Sequence, residues 1–418
     1  MMNFGRLIYY HRKRTGLTQQ QLVEGICSVS HLSKIENNST EMSKETMHLL
    51  CERLNIQLSE EKHHINRIEK DIKSLNKALT SLNIQKSQMI YTNIIEKKEW
   101  IESTTLVFLF NIVIFRYYLF FNELSKAQHI KALLMKQEKK FSQHERILYD
   151  LFVSIYYHKK NNPKKSLDIL KKIQQIEQDP PSEVYYYLSL SYGKLNKYSL
   201  SMLYGEKALE KFQKDNNYLR IIDTQLVIAI NLKQTGAFDE ALEIYLTLID
   251  KAELLNSNRH LAKIYHNMGN LYFLKKEYHK ASQYFKKSLE IKEFGSEDYI
   301  ITLSGLSESY IYLNEREVAR ELINRTIELS IKKDLTTNVM VFTIYSHQLN
   351  NNCEEMYKYI ESYALPFFLK NKKWQLVSKY GELMASYYSE IKYHQKAYKY
   401  LSLSNEALHN IFNKERGY

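Results

Sequence analysis

Ser30, His31, Ser33, Lys34 and Asn37 gather small, hydrogen-bonding and basic side chains on one side of a short stretch. Such side chains suit the donors and acceptors that base edges present in a major groove. The opposite side carries Val29, Leu32 and Ile35, three residues apart, a spacing that turns them inward on a helix. Just ahead, Thr18 can cap a short helix with Leu22, Val23 and Ile26 at helical spacing, Gly25 loosens its end, and Ser28 can cap the next. Two short helices joined by a tight turn, the second reading bases, are the logic of a helix-turn-helix. The candidate DNA contacts read from these residues are Gln20, Ser28, Ser30, His31 and Lys34.

The flanks supply the elements that would hold this pair. Phe4, Leu7 and Ile8, with Arg12 and Arg14, predict a first helix ended by Gly16. Met47, Leu50, Cys51 and Leu54 face inward on a closing helix over Ser43 to Leu54. With these residues the pattern R-x-K-R-x-G-L-T-Q-x-x-L…S-x-L-S-K-I-E-N resembles the Cro/repressor (XRE) helix-turn-helix family over residues 3–58. The resemblance implies that Arg12 pairs with Glu36 and that Gln19 contacts the DNA backbone. Asn38 departs from the glycine often found there, a mild change because Asn also tolerates a left-handed backbone. The competing reading is a small helical packing domain that touches nothing.

A second set of polar residues lies far downstream. Lys263, Asn267 and Asn270 are spaced four and three apart, hence on one helix face. Asn offers both a donor and an acceptor to an extended peptide backbone, and Lys263 could meet a carboxylate. Gln225, Asn231 and Gln234 are further candidates, Asn231 lying one position from the expected register. Each could instead be a polar residue on a solvated helix, though Asn267 and Asn270 together favour function, and His266 reads as a packing residue.

These residues sit in a chain that repeats itself. Tyr198, Phe238 and Tyr278 recur at 40-residue steps, as do Ser201, Ala241 and Ala281, and a fourth unit follows with Tyr310 and Ala319. Weaker copies pair Tyr157 with Ser166 and Tyr388 with Ala397. Small and aromatic residues at such offsets let antiparallel helices approach and stack on the next pair. Gly269, Tyr272, Tyr278, Ala281 and Phe285 spell a pattern that resembles the tetratricopeptide repeat. A longer period than the usual ~34 residues implies longer helices.

Between head and repeats, Leu58, Ile65, Ile72 and Leu79 fall seven apart, with Ile68, Leu75 and Leu82 as second heptad positions. This fits a short coiled coil that would dimerise the chain, and equally an amphipathic connector lying on the first hairpin. The expected organisation is all-α: a helix-turn-helix domain at residues 1–58, a helical linker at 59–100 and a right-handed tetratricopeptide-repeat superhelix at 101–418.

Composition bounds the chemistry. With 4 Pro and 11 Gly in 418 residues, helix breakers are few. The formal net charge of +12 would suit a polyanion, but residues 1–58 hold seven Lys/Arg against five Asp/Glu, so the excess is mostly not in the reading head. Cys27, Cys51 and Cys353 form no CxxC pair and read as thiols in a reducing compartment. No secretion signal is visible, and Leu106–Phe121 carries Asn111 and Arg116 and is shorter than the ~20 residues of a membrane span. A buried helix and a cytoplasmic protein are expected. No phosphate-cradling loop, catalytic signature, metal-spaced cluster or cofactor motif appears, so an enzyme is not expected.

A helix-turn-helix head on tetratricopeptide repeats resembles the peptide-pheromone receptors of the Rgg/Rap/NprR/PlcR/PrgX group, nearest the NprR/PlcR branch. The resemblance implies a quorum-sensing transcriptional regulator of DNA, self-associating, with a short re-imported peptide in its concave groove. Two alternatives stay open: a Rap-like protein that binds a response regulator, and a constitutive phage-type repressor whose repeats only oligomerise.

Overall fold

The computed structural model describes residues 4–37 and 39–416, and Asn38 therefore lies outside the described residues. Helices follow one another along the chain, with no strand among the described residues. Compactness divides it into two units, residues 1–191 with 210–220 and residues 192–209 with 221–418.

The first unit opens with α1 (Phe4–Thr15), α2 (Gln19–Val23), α3 (Val29–Glu36) and α4 (Lys44–Arg53). Leu7, Ile8, Leu22, Val23, Leu32, Ile35, Leu50, Cys51 and Leu54 make one shared core, with Ile26 and Met47 packed against it. Val29 differs from expectation: it is 41% exposed. As the first residue of α3 it precedes the turn whose inward positions are Leu32 and Ile35. Gly16 and Gly25 close α1 and α2 at positive φ, 76° and 71°, which glycine adopts without strain.

α5 (Leu58–Thr80), α6 (Ile84–Ile95), α7 (Lys98–Glu102), α8 (Val107–Phe120), α9 (Leu124–Met135), α10 (Gln143–Lys159) and α11 (Pro163–Ile176) continue it. The heptad stripe of α5 is spent inside the chain, since Ile68, Ile72, Leu75 and Leu79 are each at most 1% exposed and α5 packs on α6 and α8. Of the two linker readings this favours the connector. The apolar run from Leu106 is the buried α8, and no helix among the described residues is long and apolar enough to cross a membrane.

α8 buries an arginine, and Glu183 explains how. Glu183 stands in the first turn of α12 (Ser182–Lys194), and its carboxylate accepts from Arg116 at 2.7 Å and from Arg220 at 2.9 Å. Thr80 adds a third hydrogen bond, while Arg116 also donates to Asn76 and Arg220 to the Thr80 carbonyl. Burial alone would raise the Glu183 pKa, but the two guanidiniums hold it below the ordinary carboxylate value.

From α12 onward the chain runs as paired helices: α13 (Tyr198–Lys214), α14 (Tyr218–Gln234), α15 (Phe238–Leu254), α16 (Asn258–Leu274), α17 (Tyr278–Ile291), α18 (Glu297–Tyr312), α19 (Arg316–Lys332), α20 (Thr336–Leu349), α21 (Cys353–Tyr359), α22 (Leu365–Lys370), α23 (Trp374–Glu390) and α24 (His394–Arg416). Left-handed residues stop the helices: Asn196, Gly236, Lys276 and Asn314 within successive pairs, and Asn216, Asn256, Gly295 and Asp334 between them. After each within-pair stop the next N–H returns to a carbonyl five residues earlier, as in Glu277 to Tyr272 at 2.9 Å. Asparagine thus supplies many of the stops that so few glycines could not.

Ser201, Ala241, Ala281 and Ala319 are fully buried, the small contacts that let paired helices close. Tyr310 differs in register from Tyr198, Phe238 and Tyr278. It lies in α18, nine residues before Ala319, as Tyr272 lies before Ala281, and the second helix of that pair opens instead at Arg316.

Candidate functional sites

In the head, local hydrogen bonds set the two short helices before any ligand is present. Thr18 accepts from the Gln21 N–H at 3.1 Å while the Gln21 side chain accepts from the Thr18 N–H at 2.8 Å, a capping box. Ser28 caps α3 by accepting from the His31 N–H at 3.1 Å, and its oxygen also meets that of Ser30 at 3.0 Å. Ser28 is therefore committed first to starting the helix that presents the others.

Arg12 grips Glu36 through two hydrogen bonds, Nε to Oε1 at 2.6 Å and Nη2 to Oε2 at 3.0 Å, with both residues buried. This joins α1 to the end of α3. Gln19 gives one amide N–H to Glu36 at 2.7 Å, so only its second N–H remains to reach a phosphate. Gln20, Ser30 and Lys34 are exposed, and His31 is half-buried. With Val29 they make an outer face of two hydroxyl or amide groups, an imidazole, an ammonium and an apolar tip. That mixture can hydrogen-bond base edges, touch a thymine methyl and neutralise a phosphate.

Two anchors of this head escaped sequence reasoning. The Arg53 guanidinium donates to the carbonyls of Leu22 and Glu24, satisfying the end of α2. Glu61 of α5 accepts from His11 of α1 and from the Trp100 indole of α7, both at 3.0 Å, and His64 stacks on Trp100. Burial opposes ionisation of Glu61, but these hydrogen bonds win and keep its pKa below the ordinary value.

In the second unit the polar candidates divide. Lys263 donates to Asp223 at 3.0 Å, so its charge is already balanced. Asn267 donates to the Lys263 carbonyl at 2.9 Å and stays half-buried. Asn270 donates to His266 Nε2 at 2.9 Å, and His266 Nδ1 meets Thr302 at 3.0 Å. Burial, with Lys292 and Lys233 nearby, pushes the His266 pKa down to about 3, so the ring is neutral. These contacts make His266 an orienting group for Asn270.

Gln225 accepts from Lys251 at 3.0 Å, and Gln234 is exposed at the end of α14. Asn231 is a correction. It is 2% exposed, donates to Ser201 at 2.7 Å, and its oxygen lies 3.3 Å from where a Cβ on Gly193 would stand. The side chain is consumed between helices, because one step of register rotates a residue about 100° around the helix. Beyond these, Tyr345 donates to half-buried Glu308 and accepts from Lys379, a polar chain across α18, α20 and α23 that no local spacing marked.

Among the described residues no group of His, Cys, Asp and Glu could hold a metal ion. Cys27, Cys51 and Cys353 are free thiols, and burial pushes the first two up in pKa.

A family model described as helix-turn-helix matches residues 8–60, and one described as tetratricopeptide repeat matches residues 219–293 and 260–332. Transcriptional activator NprA of Geobacillus stearothermophilus is 27% identical over 409 residues, 94% of this chain and 100% of that one. The chain thus joins a helix-turn-helix segment to tetratricopeptide repeats and is similar to that activator along nearly its whole length. The chain has the fold of the apo quorum sensor NprR from B. thuringiensis, with a TM-score of 0.70, 22% identity, and 82% of this chain and 99% of that one covered. The fold of NprR in complex with its cognate peptide NprX matches with a TM-score of 0.66, 22% identity and coverage of 82% and 98%. Over a shorter stretch the chain is 30% identical to response regulator aspartate phosphatase I of Bacillus subtilis, 120 residues covering 28% and 29% of the two chains.

Proposed function

We propose that this chain is a cytoplasmic, self-associating transcriptional regulator that binds DNA through its head and a short signalling peptide through the first helices of its repeats. Ser30, His31 and Lys34, helped by Gln19 and Gln20, read and clamp the duplex, with Arg12–Glu36 holding α3 in place. Asn267 and Asn270 take the peptide backbone, with Gln225 and Gln234 at the margins. The observation that carries the reading is full-length collinearity with a transcriptional activator, together with a capped, solvent-facing α3 in the same chain. NprR, whose fold the chain shares, binds the peptide NprX, which supports a peptide as the class of effector. The chain needs no cofactor for this role and catalyses nothing itself.

The test is operator affinity and oligomer mass, measured with and without peptides encoded in any short frame beside the gene. A peptide that changes either quantity, and no longer does so after Asn267→Ala, supports the reading. DNA binding indifferent to every candidate peptide would leave a constitutive repressor. A response regulator is a second partner worth testing, because the likeness to response regulator aspartate phosphatase I is local but appreciable. Failure to retain such proteins on the immobilised chain, with or without peptide, would end that reading.

A further inference from the structure

Lys233 is a buried cation that nothing in its surroundings balances. It is 6% exposed, yet among the described residues no hydrogen bond or ion pair reaches its ammonium. Lysines near a surface normally extend their heads into water, and buried ones are normally paired. Burial accordingly pushes the Lys233 pKa down to about 8, with no acid opposing the shift. Lys263, one helix away, shows the contrast: Asp223 neutralises it at 3.0 Å.

The place of Lys233 is defined by its neighbours. It follows Leu226 by seven residues and so shares its face of α14. Leu226 packs in one cluster with Ile264 and Met268 of α16. Lys292 donates to Thr302, which His266 Nδ1 also meets, and the charge of Lys233 is felt at the same ring. The ring itself is fixed: the Asn270 amide donates to Nε2, which leaves the Nδ1 proton for Thr302. Lys292 also donates to the Asp298 carbonyl. Asn270 keeps its carbonyl oxygen as an acceptor. Two amines, a neutral imidazole and an open amide acceptor thus lie within one α14–α16–α18 neighbourhood.

We propose that Lys233 anchors a carboxylate of the peptide ligand, either an acidic side chain or a free C terminus. This inference rests on the peptide-receptor reading above. A carboxylate there supplies the missing counter-charge in a place where water screens little, and charge-assisted hydrogen bonds are the stronger kind. The Asn270 oxygen accepts a backbone N–H one step along the same peptide, which fixes its direction.

The experiment is affinity selection on the full chain from three pools of randomised heptapeptides, with retained peptides sequenced by mass spectrometry. One pool has free C termini, one has C-terminal amides but keeps Asp and Glu, and one has amides and no Asp or Glu. Wild type should retain the third pool about 10- to 100-fold less than whichever carboxylate pool carries the anchor. The first two pools separate a C terminus from a side chain. Lys233→Met should abolish the discrimination while retaining the third pool as wild type does, and Lys233→Arg should keep it. Equal retention of the third pool by wild type overturns the proposal, as does discrimination that survives Lys233→Met. Retention of no pool by any variant would defeat the receptor reading itself, and the anchor with it. Melting provides an independent check: Lys233→Met should melt at or above wild type, since it removes an unpaired buried charge. A lower melting temperature would mean that the ammonium is already engaged within the protein, against the proposal.

Discussion

The ring of Phe285 fills the space that a side chain on Gly269 would need: a Cβ there would stand 2.6 Å from the ring. On α18, a Cβ at Gly305 would meet the same ring at 2.6 Å. Phe285 of α17 is therefore sandwiched by two glycines, one on each neighbouring first helix. Gly269→Ala should destabilise the repeats by ~1–3 kcal/mol, the usual cost of overpacking. Urea unfolding of Gly269→Ala and Phe285→Leu, singly and together, checks it. The double variant should lose less than the sum, because the smaller side chain makes room for the methyl group.

Arg12 and Glu36 are buried partners, so removing one strands the other. Arg12→Ala should destabilise the head by about 3–5 kcal/mol. Hydrogen exchange should show α1 to α4 opening while α14 to α18 remain protected. Protection lost equally along the chain would contradict a head-confined effect.

Lys34 is exposed on α3, and among the described residues no hydrogen bond or ion pair holds its ammonium. If it meets a phosphate, Lys34→Ala should weaken binding to all duplexes similarly and reduce the slope of log affinity against log salt by about one unit. Ser30→Ala should instead alter preference among sequences and leave that slope unchanged. Fluorescence anisotropy across a salt series distinguishes the two outcomes.

Glu183 gives the first unit an acid-sensitive component. Its pKa is lower in the folded chain than the ordinary 4.5, so the unfolded chain binds its proton first as pH falls. The stabilisation is complete above that value and declines as pH drops through it toward the folded pKa. Glu183→Gln should flatten this part of the stability–pH curve. It should also cost about 3–5 kcal/mol at neutral pH, since Arg116 and Arg220 lose their shared carboxylate. Equilibrium denaturation from neutral to acid pH measures both effects.

The paired helices were legible because each local signal agreed with the next. Ser201, Ala241 and Ala281 had to be small where helices touch, and Tyr198, Phe238 and Tyr278 recurred at the same step. Register was less secure. The aromatic Tyr310 looked equivalent to Tyr278 by type, but its distance from Ala319 places it with Tyr272. Asn231 misled for a related reason, since a polar residue near a groove-facing register can just as well satisfy a buried hydroxyl on the adjacent pair. Partner choice was hidden altogether. That Glu183 would meet Arg116 and Arg220, or Glu61 meet His11 and Trp100, depends on elements brought together only by folding. Lys233 is the extreme case, because a lysine at the end of an amphipathic helix reads as solvated unless its neighbours are known.

Left-handed stops at Asn196, Gly236 and Lys276, each with the same hydrogen-bonded return, make the junctions between successive helices nearly interchangeable. A junction that looks the same at every 40-residue step can be cut and rejoined one step away without reshaping the backbone. Duplication or loss of a whole 40-residue segment is thus a gentler change to this chain than a one-residue insertion within a helix. The number of repeats can vary by such genetic accidents while the head and its reading face stay untouched.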